Sequence, residues 1–215
     1  MLMKAGFDFV KDDEICVNPH ISPLKERVSS IAKVIEEYKQ SSGRNVLYAA
    51  NVTSDFAVLG KCAEIALNSG ANALMIDPFC TGLSALDYLR RNFDAPIYAH
   101  RVGYGIYCLN PKYNIHFSLF TKLLRLLGAD FSHVGGIWGD SQKSRDAVKE
   151  LLIILREKSK INCTWPVVTG ISLDNMKDYY EYYGNDTLFM EHIDIFKDPD
   201  SAKKKLDLLK GSCLM

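Results

Sequence analysis

Apolar residues recur along this chain in two alternating rhythms. Short runs rich in β-branched and aromatic residues occupy positions 7–10, 45–52, 73–76, 96–99, 165–168 and 187–191, and Phe131-Ser132 leads another into His133. Runs of this length and composition predict strands. Between them apolar positions return every three or four residues, the spacing of one helix face. Leu24, Val28, Ile31, Val34 and Ile35 mark such a face in a helix running to about Gln40, with Ser22-Pro23 as its expected cap and Ser41-Ser42-Gly43 as its stop. Further helices are expected at 54–68, 84–91, 116–127, 144–158, 173–183 and 201–209.

Strands that alternate with amphipathic helices pair in parallel through helical crossovers. The expected class is α/β, a parallel (β/α)8 TIM-type barrel, with polar residues at the C-terminal ends of the strands, where such barrels build their sites. No linker or low-complexity tract divides the chain, so positions 1–215 read as one barrel domain. The count reaches about seven strand–helix units, one short of closure, so the barrel is expected to be incomplete. Its two outer strands would each carry an unpaired edge, which predicts an edge partner: a second copy of the chain, or a chain supplying the missing first strand.

Composition narrows the function classes. Lys plus Arg and Asp plus Glu balance at 26 each, which leaves no electrostatic footprint for nucleic acid or a membrane surface. No apolar run approaches the ~20 residues that span a bilayer, and no signal peptide opens the chain. The six cysteines are scattered without a C-x-x-C pair, which predicts reduced thiols in a cytoplasm and no zinc site.

The richest chemistry lies in Gly6-Phe7-Asp8-Phe9-Val10-Lys11-Asp12-Asp13-Glu14, where one lysine and three carboxylates follow a strand on four consecutive residues. Crowded acids raise one another's pKa unless a cation neutralises them, and hard oxygen ligands suit Mg²⁺. A solvated turn of mixed charge would look the same in isolation. The stretch resembles the metal-site signature of the RuBisCO large-subunit superfamily. The likeness continues in Asn51-Val52-Thr53, His100-Arg101, Leu123-Leu124-Arg125-Leu126 and His133, nearly the whole chain. In character it is closest to a RuBisCO-like protein of the form IV kind.

The resemblance implies that CO₂ carbamylates Lys11 and that the carbamate, Asp13 and Glu14 hold Mg²⁺. An ammonium cannot ligate a metal, whereas its carbamate is an anionic oxygen donor. It further implies that His100 contacts the substrate's hydroxyl carbons, that Arg101 and His133 grip one phosphate end, and that Thr169 offers a hydroxyl. Asn51 and Asp77 fall beside the expected metal, and Asp12 is the spare candidate for a ligand. His20 and His116 are not expected to act.

Departures from the family pattern sharpen the expectation. Asp140 falls at about the position of the family's loop lysine, where an anion would repel a developing carboxylate, and Lys143 is off register. Glu191 and Asp194 oppose phosphate at the family's second phosphate nest. The family's N-terminal domain and first barrel strand, which carries a catalytic lysine, have no counterpart here. These features predict a Mg²⁺-dependent enolisation, isomerisation or decarboxylation of a ketose-type, mono-phosphorylated sugar. The alternatives are a non-catalytic truncated barrel acting in binding or assembly and, less favoured, an authentic ribulose-bisphosphate carboxylase.

Overall fold

Each apolar run becomes a strand, and all the strands run parallel. The computed structural model describes residues 3, 5–136, 142–158, 160–161, 163–172, 174–190, 198, 200–201, 203–204 and 206–207. The strands are β1 (Phe9–Lys11), β2 (Leu47–Asn51), β3 (Ala73–Ile76), β4 (Ile97–Ala99), β5 (Phe131–Gly135), β6 (Trp165–Val168) and β7 (Leu188–Phe189). The helices are α1 (Leu24–Ser42), α2 (Phe56–Asn68), α3 (Pro78–Thr81), α4 (Leu83–Asn92), α5 (Tyr104–Cys108), α6 (Phe117–Leu126), α7 (Gln142–Arg156) and α8 (Met176–Tyr183). The seven strands pair strictly in chain order, each with its sequence neighbours, as short helical crossovers dictate.

The sheet curls. Phe9 on β1 reaches across to Phe131 on β5, with ring centroids 5.3 Å apart, and to Tyr98 on β4 at 5.8 Å. These rings, with Ala49, Ala73, Met75, Val167 and Leu188, fill the concave face as a packed interior. The convex face carries the helices over two cores, one of α1, α2 and α4 against β2–β4, the other of α7 and α8 against β5 and β6. Among the described residues β1 and β7 are each paired on one side only, so the architecture is an open, curled seven-stranded half-barrel.

Local chemistry corrects several expected boundaries. Ser22 does not cap α1; the Leu24 amide donates to Asn18 Oδ1 at 2.8 Å, reaching back over the intervening loop. Asp55 caps α2, accepting from the Ala57 amide at 3.0 Å, so that helix begins at Phe56 and not at Ser54. The helix expected at 84–91 is preceded by the separate turn α3, capped by Asp77 and divided from α4 at Gly82, whose φ of 89° breaks the helical path. The short α5, just after β4, has no apolar periodicity long enough to announce it.

Candidate active site

Side chains alternate between the two faces of a strand, so residues two apart share a face. Phe9, Ala49, Met75, Tyr98, Phe131, Val167 and Leu188 belong to the interior cluster. Two residues on, each strand presents Lys11, Asn51, Asp77, His100, His133, Thr169 and Met190 at its C-terminal end. The period of two converts an apolar floor into a ring of polar groups above it. Lys11, Asp13, Glu14, His100, Arg101, His133 and Thr169 line a single cavity of about 660 Å³. These are seven of the eight residues expected to act.

The eighth, Asn51, lies behind the acidic turn and is fully buried. Its Nδ2 donates to the carbonyls of Asp13 at 3.1 Å and Glu14 at 2.9 Å, fixing the backbone of both carboxylates. Asp12, the spare ligand candidate, is turned inward and engaged. It accepts from Arg27 Nε at 3.2 Å, Tyr48 Oη at 2.8 Å and the Asn51 amide at 3.0 Å. A carboxylate saturated in this way supports the turn and has no place among metal ligands. Arg27 and Tyr48 carried no sequence signal for this role, because their spacing from Asp12 is meaningful only once α1 and β2 pack.

Lys11 Nζ donates to the Asp12 carbonyl at 3.1 Å and to Glu14 Oε2 at 3.2 Å. Asp13 is exposed at the rim, with Oδ1 accepting from the Ile15 amide at 3.0 Å. Burial would raise the Glu14 carboxyl, but its own backbone hydrogen bond and the nearby charges of Lys11 and His100 outweigh it and hold the group below its usual value. The Val102 amide donates to His100 Nδ1 at 3.2 Å. That contact leaves Nε2 as the ring nitrogen facing the cavity, 3.7 Å from Glu14 Oε2. Asp77 Oδ2 stands 3.7 Å from His100 Nδ1 and finds no hydrogen-bond partner among the described protein groups.

His133 meets His100 edge to face, with centroids 4.8 Å apart. Burial first, then the positive surroundings of His100, Arg101 and Lys11, push its pKa well below the ordinary imidazole value, so it is a neutral ring. Arg101 lies 4.8 Å over the Tyr104 ring and packs against the backbone of Gly135. A Cβ on Gly135 would come within 2.7 Å of the guanidinium, and φ there is 89°. Tyr104 and Gly135 thus seat the arginine, two contributions that sequence reasoning missed. His116 and His20 are exposed and do not line this cavity. Asp140, Glu191 and Asp194, together with the side chain of Lys143, lie outside the described residues.

No cluster of three His, Cys, Asp or Glu side chains is disposed to hold a metal among the described residues. Among the described residues only Asp13 and Glu14 bring carboxylates to the cavity, and a hard cation held by them would need a third anionic donor. Lys11, within reach of Glu14, becomes such a donor on carbamylation. The donor set fits Mg²⁺ on that condition.

The family profile for the ribulose bisphosphate carboxylase large chain, catalytic domain, matches residues 1–190. The chain belongs to this family. Among curated relatives it is 32% identical over 204 residues to a 2,3-diketo-5-methylthiopentyl-1-phosphate enolase of Bacillus cytotoxicus, covering 93% of this chain and 49% of that protein. It is 29% identical over 171 residues to a 3-oxo-isoapionate-4-phosphate decarboxylase of Rhizobium rhizogenes, covering 77% and 40%. The crystal structure of a rubisco-like protein from Burkholderia fungorum superposes with a TM-score of 0.87 at 30% identity, covering 99% of this chain and 54% of that one. The chain thus spans about half the length of the RuBisCO-family proteins it matches. Among the described residues no helix is long and apolar enough to cross a membrane.

Proposed function

We propose that this chain forms the barrel site of a RuBisCO-like enzyme that enolises, isomerises or decarboxylates a ketose-type sugar carrying one phosphate. The observation that carries the reading is the convergence of Lys11, Asp13, Glu14, His100, Arg101, His133 and Thr169 on one cavity. The names of the enolase and decarboxylase relatives support the reaction class. Lys11 as its carbamate, Asp13 and Glu14 would hold Mg²⁺. When bound, that ion polarises a substrate carbonyl and acidifies the neighbouring C–H. His100, its Nδ1 engaged by the Val102 amide, offers Nε2 toward the reacting carbons and can pass a proton there. Arg101, 4.8 Å over the Tyr104 ring, presents a planar fork suited to phosphate oxygens. Neutral His133 adds a hydrogen bond without further charge, and the Thr169 hydroxyl completes the wall.

The test is chemical trapping of a carbamate after incubation with bicarbonate and Mg²⁺, read by mass spectrometry on the peptide that contains Lys11. Modification at Lys11, with at least a tenfold loss of Mg²⁺ affinity in Lys11→Ala, is expected. Equal Mg²⁺ affinity in the two proteins would overturn the metal assignment. The open sheet favours a second reading, a barrel portion that acts in binding or assembly, and an unmodified Lys11 would support it.

A further inference from the structure

The acidic turn that brings Asp13 and Glu14 to the cavity is gripped from outside the cavity by one guanidinium. Arg27, near the start of α1, has a side chain only 9% exposed and does not line the cavity. Its Nε donates to Asp12 Oδ2 at 3.2 Å and its Nη1 to the Ser22 carbonyl at 2.7 Å. Its Nη2 donates to the carbonyls of Cys16 at 3.2 Å and Val17 at 2.8 Å. The fork thus ties the carboxylate just before Asp13 and Glu14 to three carbonyls of the loop just after them.

From Asp12 the contacts run on to the site. Asp12 Oδ2 also accepts from the Asn51 amide at 3.0 Å, and Oδ1 accepts from Tyr48 Oη at 2.8 Å. The Thr53 amide donates to Asn51 Oδ1 at 3.0 Å, which turns Nδ2 toward the carbonyls of Asp13 and Glu14. Asp12 and Asn51 are buried, so water does not compete for these links. Binding groups work only when held within about 0.5 Å of their productive positions.

We propose that Arg27 is a positioning residue for the cation site. By fastening Asp12 and the 16–22 loop together, it fixes the backbone from which Asp13 and Glu14 reach the cavity. The inference rests on the Mg²⁺ reading proposed above. The geometry asks for arginine and not merely for positive charge. A guanidinium spreads its N–H donors over Asp12 and three carbonyls in a rigid fork, whereas a lysine ammonium is a compact point charge that cannot span them. Lysine at this position would still neutralise Asp12 but would release the loop. The coupling is reciprocal: if the Arg27 network favours the cation-bound arrangement, a bound cation tightens that network.

The experiment measures Mg²⁺ affinity by calorimetry in bicarbonate for the wild type, Arg27→Lys and Asp55→Ala, each checked for folding by circular dichroism. Asp55 caps α2 away from the cavity, so Asp55→Ala controls for lost stability alone. Exchange of the Arg27 Nε–H and the Asn51 amide is followed by NMR in the wild type with and without Mg²⁺. Arg27→Lys is expected to bind Mg²⁺ about tenfold more weakly or worse, with Asp55→Ala unchanged and both N–H groups exchanging more slowly when Mg²⁺ is bound. Should Arg27→Lys fail to fold, Tyr48→Phe, which removes one bond to Asp12 and keeps the ring, takes its place and is expected to weaken Mg²⁺ binding severalfold. Wild-type affinity in the folded variant, an equal loss in Asp55→Ala, or exchange that ignores Mg²⁺ would overturn the inference and leave the metal reading standing. Absence of Mg²⁺ binding by the wild type would overturn the metal reading, and this inference with it.

Discussion

Asp12 and Asp13 are neighbours in the sequence and live in opposite environments. Asp12 is buried against Arg27, with side-chain exposures of 3% and 9%, while Asp13 is exposed at the mouth of the cavity. Removing one partner of a buried pair strands the other charge. Asp12→Ala should therefore lower unfolding free energy by about 3–5 kcal/mol in urea titrations. Asp13→Ala should leave stability within about 0.5 kcal/mol and act on cation binding alone. At Gly135, an added methyl would meet the Arg101 guanidinium where φ is already 89°. Gly135→Ala should cost about 1 kcal/mol or more from backbone strain and weaken inorganic phosphate binding at least tenfold by calorimetry. His133 gives a pH prediction with a definite sign. Its folded pKa lies well below the ordinary 6.5, so below that pH the unfolded chain binds a proton that the folded chain refuses. Stability contributed by this group is full above pH 6.5 and is lost as pH falls toward the folded pKa, at up to about 1.4 kcal/mol per pH unit. His133→Gln should flatten that slope in denaturation measured from pH 7 to 5.

At the scale of elements, caps and strand parity position the chemistry. Asp55 holds the start of α2 through the Ala57 amide, on the surface and away from the cavity. Asp55→Ala should therefore lower stability by about 1 kcal/mol in thermal melts and leave ligand binding unchanged. Arg125, in the middle of an apolar helical run, donates to the Ile154 carbonyl at 2.5 Å and so ties α6 to the last turn of α7. Its charge is buried for packing and has no place in the cavity, a distinction that the helical pattern of 116–127 does not contain. The strands were legible because each needs only a few apolar residues between turn signals. The short α3 and α5 were not, since four or five residues carry too little periodicity to register.

Over the whole molecule, the order of the strands sets a gradient of protection. β3 and β4 are paired on both sides and fully buried, whereas β1 and β7 are half-buried edges. Hydrogen exchange should be slowest in β3 and β4 and at least about tenfold faster in β1 and β7, because edge openings need no global unfolding. Uniform protection across the seven strands would contradict this description of the open sheet. Period and composition alone determined the α/β class, the parallel order, the seven strand–helix units and the location of polar groups at strand ends. Those properties follow from local alternation and short crossovers, which any reader of the chain can count. Tertiary structure decided which carboxylate of Asp12, Asp13 and Glu14 faces the cavity and which is consumed by Arg27 and Tyr48. It also decided that Asn51 braces the turn from behind and that Tyr104 and Gly135 seat Arg101. Each of these depends on groups brought together by the curl of the sheet, and no local pattern in the sequence encodes that curl.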